Sequence, residues 1–333
     1  MKKITIAGSV LTDIVKMIDV FPQKGMLTNI TSIRQSVGGC VPNTGIDLKR
    51  LAPEIAVKGV GRVGNDANGK YLRDVLESNG LAVRFIEDET LPTSFSDVMT
   101  QKNGERTFFH ARGANVAFCA EDIIENDLDC DLFHLGYLLL LDGLDEADAE
   151  FGTVAARILN NVKKRGVKTA IDTVSAEGGK FRRIVGAALP YVDYAVMNEI
   201  EASQVTGIPL REGEKLLTEN LKDACAGLIK LGVSEKAVIH CPELGCGMDK
   251  NGKYTVVPSL KLPAGYIVGS VGAGDAFCAG MLYSFLADLS MEEGLQIASL
   301  TAACNLSSDD SIGGARSLAE TLKLEQKFER RKI

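Results

Sequence analysis

Short runs rich in β-branched and apolar residues alternate with amphipathic helical patterns along almost the whole chain, and this rhythm restricts the fold most. A strand followed by a helix that must bury one face returns the chain parallel to its start. The pattern therefore predicts an α/β fold, with a central, mostly parallel sheet and helices on both faces. Buried strands are expected over 4–10, 55–60, 132–138, 168–172, 194–197 and 237–240. Helices are expected over 146–165, which ends in a basic turn before Gly166, and over 213–231 and 273–287. A single domain spanning 1–333 can bury a sufficient core at this length.

Two segments break the rhythm. Residues 14–37 and 92–114 alternate apolar and polar positions without helical periodicity, as half-exposed antiparallel strands do. These two insertions are expected to form one small β-sheet standing off the main domain. The charged stretch 323–333 reads as an exposed helix end.

Composition excludes more than it assigns. A net charge of -7 argues against a nucleic-acid partner. The first residues read as a strand and not a signal peptide, and the apolar run 135–141 is too short to span a membrane. A cytoplasmic protein with no membrane partner is expected. Eight cysteines without a CxxC pair read as reduced thiols. With three histidines and no second ligand pair, a zinc site is not expected.

Two glycine motifs invite assignments that their surroundings oppose. Gly59-Val60-Gly61-Arg62-Val63-Gly64 matches dinucleotide-turn spacing, but a second strand should then end in an acid. The acids that follow, Asp74 and Glu77, fall in the stretch 70–79, which reads as helix. Gly64-Asn65-Asp66-Ala67-Asn68-Gly69-Lys70-Tyr71 nearly spells a P-loop, but Tyr71 stands where a small magnesium-binding hydroxyl is required. The latter reads as a glycine-rich turn before an amphipathic helix that shapes a substrate pocket.

The run Gly269-Ser270-Val271-Gly272-Ala273-Gly274-Asp275-Ala276-Phe277 carries the chemistry. Small residues at 272–274 open a helix, where backbone N–H groups can approach an anion and the helix dipole favours negative charge. A carboxylate one residue later is electrostatically awkward beside a bound phosphate. Asp275 then reads either as a base that accepts a hydroxyl proton while the N–H groups hold developing charge, or as an ordinary first-turn aspartate.

The same run resembles the C-terminal signature of the ribokinase-like (PfkB) family of carbohydrate kinases. Other motifs follow the family's order: Gly8-Ser9 with Asp13, Gly38-Gly39-Cys40-Val41-Pro42-Asn43, Gly61-Arg62-Val63-Gly64-Asn65-Asp66, Asn198-Glu199-Ile200-Glu201 and Gly313-Gly314-Ala315. The resemblance implies a ribokinase-like fold with a β lid, and an ATP-dependent kinase acting on a primary hydroxyl of a small sugar. Asp275 would be the base and Gly272, Ala273 and Gly274 the anion hole. Asp13, Gly38, Gly39 and Asn43 would bind the sugar, and Arg112 is placed beside them. Asn198, Glu201, His240, Glu243, Gly245, Gly274 and Asn305 would serve the nucleotide, with Glu201 organising Mg²⁺. Asn198 and Glu201 also fit a helix-capping pair. A homodimer through the lid is implied as well.

Three departures qualify the resemblance. Gly269-Ser270 replaces the family's Asp-Thr pair, which argues against activation by a monovalent cation. His240-Cys241-Pro242-Glu243-Leu244-Gly245 replaces a Thr-Gly-Gly-type turn, and Pro242 removes an N–H donor. Val41-Pro42 before Asn43 is tolerated at a helix start. The rivals are a nucleoside kinase of the same family, a catalytically silent regulator that binds sugar or nucleotide, and an oxidoreductase built on residues 59–64.

Overall fold

A computed structural model describes residues 1–102, 105–175 and 179–333. A nine-stranded sheet runs, from one edge to the other, through Tyr254–Pro258, Leu244–Asp249, Lys236–His240, Tyr194–Asn198, Lys168–Thr173, Leu132–Leu138, Lys3–Gly8, Ala56–Gly64 and Ala82–Asp88. The first two strands are antiparallel to their neighbours and the others run parallel. The predicted parallel strands are all present, while the edge strands Leu244–Asp249, Tyr254–Pro258 and Ala82–Asp88 were not anticipated.

Alternation along the strands explains why both faces are covered. Phe133 and Leu135, Ala195 and Met197, and Ala237 and Ile239 belong to one buried cluster. Leu132, Val196 and Val238 belong to another, with Ile46 of the Cys40–Leu51 helix and Leu282 of the Ala273–Leu286 helix. Two cores, one per face, are the packing that a parallel sheet requires.

The predicted lid is also present, as a separate four-stranded sheet ordered Ile30–Gly38, Leu11–Ile18, Phe95–Gln101, Arg106–Ala111. Its first strand pair, Leu11–Ile18 with Ile30–Gly38, is antiparallel, and Leu11–Ile18 then runs parallel to Phe95–Gln101.

Two predicted helices start late. Helix occupies Val154–Lys164 and not 146–165, because Gly152, at φ 86, turns a short hairpin of Ala147–Asp148 and Gly152–Thr153 before Thr153 caps the helix. Likewise Gly213, at φ 58, turns Arg211–Glu212 onto Lys215–Leu216, and the helix is Leu221–Lys230. A left-handed glycine favours a turn over a helix interior. The dinucleotide pattern 59–64 lies inside the straight Ala56–Gly64 strand, so the strand-turn-helix geometry of a nicotinamide site is missing there.

The Ala273–Leu286 and Met291–Asn305 helices touch most closely at Gly280, where an added Cβ would lie 2.5 Å from Ala298 Cα. Because the neighbour is backbone, Gly280→Val forces the helices apart. Overpacking of this kind costs about 1–3 kcal/mol, and thermal denaturation should show a lowered melting temperature. An unchanged melting temperature would show that this helix contact yields freely.

Candidate active site

The sheet changes direction of growth at its first strand. From Lys3–Gly8 the chain builds outward to Ala56–Gly64 on one side and later to Leu132–Leu138 on the other. Open α/β sheets bind ligands beyond the carboxyl ends of strands at such a switch point. Here those ends deliver Tyr137, Asp172, Asn198 and His240 to a cavity of about 250 Å³, which Gly272, Gly274 and Asp275 close from the opposite side.

Asp275 is 5% exposed. Its Oδ2 accepts from Asn43 Nδ2 at 2.9 Å and from the Tyr137 hydroxyl at 2.9 Å, and Thr44 Oγ1 stands 3.5 Å from Oδ1. Burial, reinforced by the Asp172 charge, pushes its carboxyl up to about 7, against the pull of those three donors. The sequence-based reading joined Asn43 to Asp275 only through a shared ligand; the structure joins them directly. Asn43 Oδ1, also buried, has no hydrogen-bond partner among the described residues.

Tyr137, Thr44 and Asp172 escaped the sequence analysis. Tyr137 holds φ 60 and Leu139 φ 86, a left-handed backbone that side chains other than glycine rarely adopt. Such outliers concentrate at functional sites, and this one turns the Tyr137 hydroxyl onto Asp275. Asp172 Oδ1 accepts from Tyr137 N at 2.8 Å and lies 3.6 Å from His134 Nε2. Cys278 Sγ is 4.0 Å from the same nitrogen, so His134, Asp172 and Cys278 form a compact buried group that the sequence spacing did not reveal.

Gly272 caps the helix at φ 78, and a side chain there would meet Ser311 O at 2.7 Å. Glycine is required twice over, for its conformation and for its size. Of the N–H groups read as an anion hole, that of Ala273 donates to Ser270 O at 3.3 Å. The N–H of Gly274 belongs to the first turn, where no intrahelical acceptor exists, and Gly274 lines the cavity.

Asn198 and Glu201 form a complete capping box: Asn198 Oδ1 accepts from the N–H groups of Ile200 and Glu201 at 2.9 Å each, and Glu201 Oε2 accepts from Asn198 N at 3.0 Å. Glu201 Oε1 accepts from Ser175 Oγ at 3.0 Å, and burial pushes its carboxyl up to about 7. Both residues still line the cavity. His240 lines it too, stacked on Phe277 with ring centroids 4.7 Å apart, and burial lowers its pKa to about 4, so its imidazole is neutral.

At the base of the lid, Gly38 and Gly39 are explained by contact. A Cβ on Gly38 would stand 2.7 Å from Asp13 Oδ2, and one on Gly39, at φ 88, would stand 2.5 Å from Ser9 O. Burial pushes the Asp13 carboxyl up to about 6, opposed by the Ser96 hydroxyl and the charge of Arg106.

Four assigned residues are occupied elsewhere. The Arg112 guanidinium pairs with Asp142. Glu243 pairs with Arg211 at 2.9 Å, and Arg211 also holds Glu199 at 2.7 Å. Gly245 makes room for Phe277, whose Cζ would be 3.0 Å from an added Cβ. Asn305 is buried and donates to Ser311 O at 2.6 Å, which fixes the segment behind Gly272.

Asp172, Glu201 and Asp275 place three acids around one cavity that no lysine or arginine lines among the described residues. A polyphosphate cannot enter such a site without a cation to neutralise it. Carboxylate oxygens are donors that a hard divalent ion prefers, so Asp172 and Glu201 fit Mg²⁺.

The sequence profile of the pfkB family of carbohydrate kinases matches residues 1–317. Over 327 residues the chain is 27% identical to a ribokinase from Arabidopsis thaliana, covering 96% of this chain and 80% of that protein. Over 333 residues it is 27% identical to an ATP-dependent ribose-1-phosphate kinase from Halopiger xanaduensis, covering 99% and 100%. The solved structure of Arabidopsis thaliana ribokinase complexed with ribose and ATP superposes with a TM-score of 0.79 at 24% identity, covering 97% of this chain and 98% of that one. No helix among the described residues is long and apolar enough to cross a membrane. A nine-stranded sheet with its small lid, a cavity at the switch point and a match over nearly the whole length lead to one conclusion: the chain belongs to the pfkB family of carbohydrate kinases, phosphotransferases with an alcohol group as acceptor.

Proposed function

We propose that this chain transfers the γ-phosphoryl group of ATP to a primary hydroxyl of a small sugar or sugar derivative, with Asp275 as the base. The observation that carries the reading is the Asp275 carboxyl, held by Asn43 and Tyr137 at the first turn of a helix whose N-terminus faces the same cavity. Substrate oxygen forms the new bond to the γ-phosphorus as the bond to the β-bridging oxygen breaks. That electron pair leaves on ADP, and the hydroxyl proton passes to Asp275.

The protein's part is positioning and charge stabilisation, the usual needs of phosphoryl transfer. Gly274 N–H and the helix dipole address the transferred group. Asp172 and Glu201 would hold Mg²⁺, directly or through water, and the ion would neutralise phosphate charge. Asp13, Gly38, Gly39 and Asn43 would orient the sugar, and closure of the lid would exclude water. The stacked His240–Phe277 pair would form one wall of the nucleotide site. Eight unpaired thiols support a reducing, cytoplasmic setting.

A lid-mediated homodimer belongs to the same reading. Ile33 and Phe109 share the lid's outer face by register and are 65% and 52% exposed. Analytical ultracentrifugation should show a dimer that Ile33→Asp with Phe109→Asp converts to monomer. A monomeric wild type would remove the dimer from the account.

In a coupled assay of ADP formation over sugars, sugar derivatives and nucleosides, Asp275→Asn should lower kcat at least about 10²-fold, the scale of lost base catalysis, with acceptor and ATP binding retained by calorimetry. Because the base acts ionised and its pKa is raised to about 7, kcat/KM of the wild type should fall as pH drops below that value. Turnover unaffected by Asp275→Asn would remove Asp275 as the base. Turnover confined to nucleosides would favour the nucleoside-kinase reading, and binding without any turnover would favour a silent regulator.

A further inference from the structure

The inner face of the lid carries cations that the reaction at Asp275 does not use. Side chains alternate across a strand, so Asp13, Val15 and Met17 share one face of the Leu11–Ile18 strand. Arg34 pairs in register with Val15, Thr100 with Met17, and Arg106 with Thr100, which sets Arg34 and Arg106 on that same face. Together with Val268 and Asp309 of the main domain, this face lines an open cavity of about 410 Å³.

Among the described residues, both guanidinium groups meet Asp309. Arg34 Nη1 lies 2.9 Å from Asp309 Oδ1 and 3.8 Å from Asp310 Oδ2, and Arg106 Nη2 reaches Asp309 O at 3.4 Å. The Arg34–Asp309 pair is 41% and 57% exposed, so water screens it and it exchanges easily. Position gives these cations their meaning. A two-residue step along a strand is roughly 7 Å, which puts Arg34 about one step beyond Asp13 and Arg106 about one more. The two arginines sit on the outer strands of this sheet, on either side of the Leu11–Ile18 and Phe95–Gln101 pair, and their guanidinium groups converge on Asp309. Arg106 already acts on Asp13 through its charge. In a chain of net charge -7, two arginines lining one cavity are a local exception.

We propose that the acceptor sugar carries an oxyanion group, a phosphate or a carboxylate, which Arg34 and Arg106 bind at the outer end of the lid cavity. The inference rests on the kinase reading above and adds the class of its acceptor. Guanidinium forks match the oxygen pairs of phosphate and carboxylate. A neutral sugar leaves that cationic end without a ligand, whereas an anionic one fixes which hydroxyl points at Asp275.

The test uses pairs that keep a primary hydroxyl free: ribose and ribose 1-phosphate, fructose and fructose 6-phosphate, glucose and gluconate. ADP formation should favour the anionic member of one pair by about a hundredfold in kcat/KM, as two charge-assisted contacts allow. For that acceptor Arg34→Gln and Arg106→Gln should each raise KM about tenfold with kcat nearly kept, and Arg34→Lys should recover part of the loss. Melting curves and turnover of the neutral partner report whether each variant is folded. Whether the phosphates or gluconate respond identifies the oxyanion. Equal or better use of the neutral member of every pair overturns the proposal and leaves the kinase intact. Calorimetric binding of the anionic sugar that depends on Arg34, without ADP formation, supports the oxyanion site and overturns the kinase reading instead.

Discussion

Burying the Asp275 carboxyl at the start of the Ala273–Leu286 helix ties together parts of the chain that lie more than a hundred residues apart. Asn43 reaches it across a sequence separation of 232 residues and Tyr137 across 138. Removing the group from water disfavours its ionised form, and the nearby Asp172 charge adds to that. The hydrogen bonds recover only part of what burial takes. A carboxyl in that condition is a stronger base than an exposed one and is poised near neutral pH, where proton transfer is most effective. Folding bears the energetic burden, since at neutral pH the chain must either bury a charge or keep a proton.

The rest of the architecture supplies what this carboxyl needs. The parallel strands end together at the switch point, so Tyr137, Asp172, Asn198 and His240 arrive at one cavity from four separate strands. Glycines permit the closest approaches: Gly272 against Ser311, Gly38 against Asp13 and Gly39 against Ser9. The lid contributes Asp13 at its base and two arginines farther out. In the proposed reading the chemical end lies beside Asp275 and the recognition end beneath the lid, where Val15 and Met17 of the Leu11–Ile18 strand line the cavity.

Much of this was legible in the residues because it depends on local periodicity. Buried parallel strands announce themselves as apolar runs, and the lid strands as two-residue alternation, so six strands of the main sheet and both lid segments were legible. Glycine-turned hairpins at Gly152 and Gly213 were read as helix because their flanks carry helical patterns and the turns are only two or three residues long. Asp275 was legible through its glycine company, and its partner Asn43 through a motif of its own. Tyr137 was not, since its role depends on an unusual backbone angle that no local pattern encodes. Asp172 had a usable signal: it closes a predicted parallel strand, at the end where such sheets do chemistry. Arg112 and Glu243 were assigned to ligands because their partners, Asp142 and Arg211, are 30 and 32 residues away and invisible to local reading. Arg34 and Arg106 gave no signal as a pair until strand register brought them to one face.

The central claim is that one buried carboxyl is held ready as a base, and carboxyl carbon NMR of protein labelled at aspartate tests it most directly. A resonance absent from Asp275→Asn should titrate with a midpoint near 7 in the ligand-free protein. A midpoint at or below the ordinary value of about 4 would contradict the account, because Asp275 would then be a solvated first-turn aspartate with no stored basicity.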